Sequence, residues 1–73
     1  MEQKSIETFF KKYKVSDPDK KAKILPEVTD IIYDYNMAIV ALEKEKDNYK
    51  KDQLKREIKE LEQKIDEVFQ EKM

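Results

Sequence analysis

Three carboxylates, Glu27, Asp30 and Asp34, stand at i, i+3 and i+7 in a stretch of helical periodicity. On one helix face such a set can offer oxygen ligands to a divalent cation. The same spacing arises whenever one side of an amphipathic helix is acidic, and Glu27 and Asp30 follow Pro26, where the start of a helix favours negative charge. A solvated acidic face is therefore expected, and no metal site is assigned. The rest of the catalytic repertoire is missing: the 73 residues include no His, no Cys and no Gly. That removes the imidazole base, the thiol nucleophile, the zinc ligand set and the glycine loop that cradles phosphate. Chemistry would have to rest on carboxylates, lysines and tyrosines, so a non-enzymatic role without a cofactor is expected.

The charges say little more about a ligand. Sixteen Lys and Arg balance seventeen Asp and Glu, for a net charge of -1 with 45% of residues charged, which is neither a basic nucleic-acid binder nor an acidic tail. One segment is locally basic, with Lys11, Lys12, Lys14, Lys20, Lys21 and Lys23 set against Asp17 and Asp19. It can touch phosphate groups, yet a flexible, charged linker is the favoured reading, and any DNA contact is expected to be indirect or weak. The lack of cysteine leans toward an intracellular protein. No run approaches the roughly 18 apolar residues of a membrane span, and Glu2 with no apolar run behind it does not look like a secretory signal. A soluble chain with no membrane partner is the expectation.

The elements that carry these residues follow from punctuation and period. A chain without glycine, rich in Lys, Glu, Ile and Leu, reads as all-α. Asp17-Pro18-Asp19 has the form of a helix start, with Asp17 as N-cap and Pro18 at the first helical position. Pro26 should end whatever begins there and start a new helix, because proline disfavours helical geometry at the residue before it. Residues 15–25 are thus expected to be a broken, basic connector. From Pro26 on, Val28, Ile31, Ile32, Tyr35, Ile39 and Leu42 form one apolar face. Leu54, Ile58, Leu61, Ile65 and Val68 then repeat at steps of four and three, a coiled-coil seam.

At about 100° per residue the second stripe is rotated by about 100° from the first, so one straight helix cannot aim both at the same partner. The charged stretch 43–53 must hold a break, and Asp47-Asn48 offers a left-handed cap without glycine. An antiparallel helical hairpin over 26–73 follows. Two alternatives stay open: a three-helix bundle, and one helix of about 70 Å dimerising as a coiled coil. Tyr33, Met37 and Val40 lie opposite the first stripe. In a hairpin they are a spare apolar face for a second partner; in a long helix they join the seam and support self-association.

The amino-terminal residues carry the most specific pattern. Gln3, Ile6, Phe9 and Phe10 follow Gln-x-x-aliphatic-x-x-aromatic-aromatic, with Lys11 and Lys12 directly behind. This stretch, about ten residues of the chain, resembles the PCNA-interacting peptide, or PIP box, by which archaeal and eukaryotic replication and repair proteins dock on the sliding clamp. The resemblance implies that Ile6, Phe9 and Phe10 plug a hydrophobic pocket from a 3₁₀ turn, that Gln3 fills a polar pocket, and that the lysines add steering. It also implies a PCNA-type clamp as partner, a DNA polymerase or nuclease as the client held by the helical part, and a nuclear location in a eukaryote or a cytoplasmic one in an archaeon. A clamp inhibitor fits equally. On this view residues 1–14 are a flexible docking segment. The competing view is that Ile6, Phe9, Phe10 and Tyr13, spaced i, i+3, i+4 and i+7 behind a Ser5 cap, form a first helix packed on the hairpin.

Overall fold

The computed structural model describes residues 2–72 and is all-α. Three helices follow one another: α1 (Ile6–Lys12), α2 (Pro18–Lys44) and α3 (Asn48–Lys72). Helices α2 and α3 form an antiparallel hairpin. Its register is set by Glu27 beside Lys72 and Tyr35 beside Glu62, so one chain rises as the other descends.

Both faces of the hairpin are those that the apolar periods mark. Val28, Ile32, Tyr35 and Ile39 of α2 are buried against Ile58, Leu61 and Ile65 of α3, while Ile31, Leu42 and Val68 are half-buried at the margins. The break falls at Glu45–Asp47, inside the charged stretch. It is not built from a left-handed cap at Asp47-Asn48. Glu45 is extended (φ -77, ψ 136), its carboxylate accepts the N–H groups of Lys46 and Asp47, and Asp47 accepts the N–H of Tyr49 at 3.1 Å. The Asp47 oxygen thus satisfies one of the donors that the start of α3 leaves open, the Glu45 oxygen satisfies two donors of the loop itself, and the chain turns without glycine. The two helices are separate, so the single long coiled-coil helix is not formed.

Pro26 does not break the chain. Helix α2 starts at Pro18, capped by Asp17, which accepts the N–H of Asp19 at 3.0 Å, and runs through Pro26 to Lys44. The expected connector over 15–25 is therefore mostly helix. The reason lies on either side of the proline: Ile24 and Val28 are both fully buried. Each contributes about 1.5 to 3 kcal/mol on burial, enough together to offset the roughly 3 kcal/mol that an interior proline costs. Pro26 itself faces solvent, where water can reach the Ala22 carbonyl left without its helical donor.

The flexible amino-terminal segment is likewise corrected. Residues 6–12 are an α-helix packed on the hairpin, with Phe9 and Phe10 only 2% and 4% exposed. The three-helix alternative describes this part. Helix α1 closes with Lys14 in the left-handed region (φ 57), the sole positive φ among the described residues. Lys14 N–H bonds the Lys11 carbonyl, and Val15 N–H bonds the Phe10 carbonyl at 2.9 Å. This is a Schellman ending with lysine where glycine is usual, and buried Val15 supplies the apolar contact that accompanies it.

Candidate docking site

Helix α1 begins where Ser5, extended at φ -85 and ψ 166, accepts the N–H of Thr8 at 3.4 Å. Glu7 in its first turn and Lys11 and Lys12 in its last suit the helix dipole. Its apolar face lies over the groove between α2 and α3, in the half of the hairpin away from the Glu45–Asp47 loop. Phe9 meets Tyr35 edge-on at 6.1 Å and stacks with Phe69 at 6.4 Å. Phe10 is edge-on to Phe69 at 5.9 Å, and Tyr13 stacks on the same ring at 4.4 Å. Phe69, fully buried, is the hub at which α1 and α3 join.

Polar contacts fasten the two ends of this segment. The side-chain amide of Asn36 takes both backbone groups of Lys4: Lys4 N–H donates to Asn36 Oδ1 at 2.8 Å, and Asn36 Nδ2 donates to the Lys4 carbonyl at 2.8 Å. At the other end the Tyr13 hydroxyl donates to Asp66 Oδ1 at 2.6 Å, and Gln70 donates to the second oxygen of Asp66 at 2.9 Å. Burial first, then the bond to Asp66, pushes the Tyr13 hydroxyl well above its ordinary value. Burial and the bond to Glu62 at 3.0 Å push the Tyr35 hydroxyl up to about 12. Both tyrosines are held as neutral donors to carboxylates. Three lysines lie over aromatic rings of this site: Lys4 over Phe9 and Tyr35, Lys12 over Tyr13, and Lys21 over Phe10 at 5.3 Å.

Of the six residues that the PIP-like pattern marks, Gln3, Lys11 and Lys12 are exposed, Ile6 is half-buried, and Phe9 and Phe10 are in the core. The pattern's apolar members share one helix face, as a plug requires, but in an α-helical rather than a 3₁₀ turn, and that face is occupied by the hairpin. Tyr33 and Met37, 64% and 51% exposed, and half-buried Val40 lie on the outer side of α2. Next to them a shallow apolar depression of about 290 Å³ is lined by Ile6, Leu25, Thr29, Ile32, Tyr33 and Asn36.

The other sequence candidates are dispersed. Glu27, Asp30 and Asp34 are exposed and Glu27 pairs with Lys72 at 3.4 Å. Among the described residues no three His, Cys, Asp or Glu side chains are grouped to hold a metal ion. Lys20, Lys21 and Lys23 belong to the first turns of α2 and do not form a free basic strand with Lys11, Lys12 and Lys14. No helix among the described residues is long and apolar enough to cross a membrane.

Sequence reasoning missed Phe69, Asn36 and Asp66. Phe69 was within reach, since it stands four residues after Ile65 on the α3 seam. Asn36 carries no such signal, because nothing in the local pattern says which backbone a lone amide will grip. Comparison with known proteins adds nothing: no family model matches the chain, and no curated protein or solved structure matches it either.

Proposed function

We propose that the protein is a small, non-enzymatic accessory factor of DNA replication or repair that docks on a PCNA-type sliding clamp through Gln3, Ile6, Phe9 and Phe10, with Lys11 and Lys12 adding electrostatic steering. One observation carries this: Gln3 stands exposed, with no role in the core, ahead of a two-turn helix that bears Ile6, Phe9 and Phe10 on a single face. The hairpin then holds a second protein, such as a DNA polymerase or nuclease, on the outer face of α2 formed by Tyr33, Met37 and Val40, or else limits the access of other clients to the clamp.

The clamp and the hairpin need the same aromatic side chains, so docking requires α1 to leave the hairpin. Burying one Ile and two Phe in a clamp pocket contributes roughly 5 to 8 kcal/mol gross. Giving up the contacts with Tyr35 and Phe69 takes much of that back, which sets the expected affinity at micromolar or weaker.

A second reading has its own observation behind it. The burial of Phe9 and Phe10 is what a three-helix bundle of this size needs for a core, and a structural interaction protein with no link to clamps would use them so. Calorimetric titration of the full chain and of Phe9→Ala/Phe10→Ala into an archaeal or eukaryotic clamp separates the two. Binding by the wild type that disappears in the double variant supports docking. No heat from the wild type supports the bundle.

A further inference from the structure

We infer that Asn36 and Asp66 form a two-point latch that holds the docking segment shut and thereby sets its affinity for the clamp, a regulation that rests on the function proposed above. The segment is pinned at both ends by different helices, Lys4 by Asn36 of α2 and Tyr13 by Asp66 of α3, with Phe9 and Phe10 between the pins.

The chemistry of each pin suits a releasable contact. Lys4 lies ahead of the Ser5 cap, where its backbone N–H and C=O have no helical partner and need another. The Asn36 amide supplies one donor and one acceptor in the matching order. Asp66 is aimed by Gln70 and accepts from a tyrosine whose hydroxyl stays protonated. Both sites are partly buried, so water can take over the freed groups once the segment departs. Neither residue belongs to the buried stripes of the hairpin, so changing them removes no apolar contact between α2 and α3.

Asn36 and Asp66 also lie outside the docking motif. Changing them alters the fraction of open chains while the side chains presented to the clamp stay the same. Apparent affinity scales with that fraction when the closed form dominates. Loss of the hydrogen bonding at one pin shifts the closing equilibrium by about five- to tenfold. The pins share no partner, so their effects should multiply.

The test titrates full-length wild type, Asn36→Ala, Asp66→Ala and the double variant into a PCNA-type clamp. In parallel, amide hydrogen exchange at Phe9 to Tyr13 is measured without clamp. Each single variant should bind about five- to tenfold more tightly and exchange these amides faster by the same factor. Amides around Ile39 and Ile58 should keep their protection. Asn36→Asp, which retains the acceptor for Lys4 N–H and loses the donor to its carbonyl, should fall between wild type and Asn36→Ala; it serves as the control should the alanine variant lose its fold. Variants that bind and exchange like the wild type overturn the latch. Absence of binding by every variant removes the clamp reading instead, and the exchange rates then decide the latch alone.

Discussion

Truncating Phe69 to alanine is the sharpest probe of how the first helix is held. The ring is fully buried and touches Phe9, Phe10 and Tyr13 at centroid distances of 6.4, 5.9 and 4.4 Å. Phe→Ala in a core costs about 3 to 5 kcal/mol, and the loss of three aromatic partners places this case at about 4 or above. A chain of 73 residues has about 4 to 11 kcal/mol of total stability, so the change removes a large share of it and should lower the melting temperature by about 15 to 30 °C. Urea unfolding followed by far-ultraviolet circular dichroism gives the number. Val68→Ala, one residue away and only half-buried, is the control and should cost about 1 kcal/mol or less. A fall in the urea slope for Phe69→Ala alone would mean that α1 has already left the folded hairpin. A loss below about 1 kcal/mol, or one no larger than that of the control, would refute the packing of α1 on Phe69.

Two further outcomes are expected. Tyr35 is held up to about 12 in the folded chain against an ordinary 10.0, so between those values the folded state keeps a proton that the unfolded state has lost, and stability falls as pH rises. The melting temperature should be level from about pH 7 to 9 and decline above about 10, less steeply in Tyr35→Phe; identical slopes would contradict the assignment. Pro26→Ala restores a donor for the Ala22 carbonyl in the interior of α2 and should raise stability by about 2 kcal/mol after allowing for the freer unfolded chain, whereas a neutral or harmful effect in thermal melts would mean that α2 depends on the proline.

How much of this was legible depends on the range of the interaction. The two seams of the hairpin were readable because Val28 to Ile39 and Ile58 to Ile65 repeat at helical spacing, and that repeat is a local property of the chain. The cap at Asp17-Pro18 was readable for the same reason. Pro26 misled because its local preference is overridden by the burial of Ile24 and Val28 against elements far away in sequence. The amino-terminal segment carried two patterns at once, since Gln3, Ile6, Phe9 and Phe10 suit a docking peptide while Ile6, Phe9, Phe10 and Tyr13 suit an amphipathic helix. What chose between them in the folded chain was an aromatic hub at Phe69 and an amide at Asn36, both more than 20 residues away, and neither announces itself by spacing.

The position of the short Glu45–Asp47 turn bears on the order in which the molecule assembles. Helices α2 and α3 are neighbours in sequence, and pairs close to the turn, such as Ile39 with Ile58, join after closing only a small loop. Zipping can therefore start beside the turn and run outward toward Glu27 and Lys72, as expected of a fold with short-range connections and rapid kinetics. The aromatic cluster of Phe9, Phe10, Tyr13 and Phe69 lies at the far end of that path and links segments separated by more than fifty residues. Closing so long a loop costs the most entropy in the molecule, so this topology favours an order in which the chain brings its most adhesive side chains together at the final step of folding.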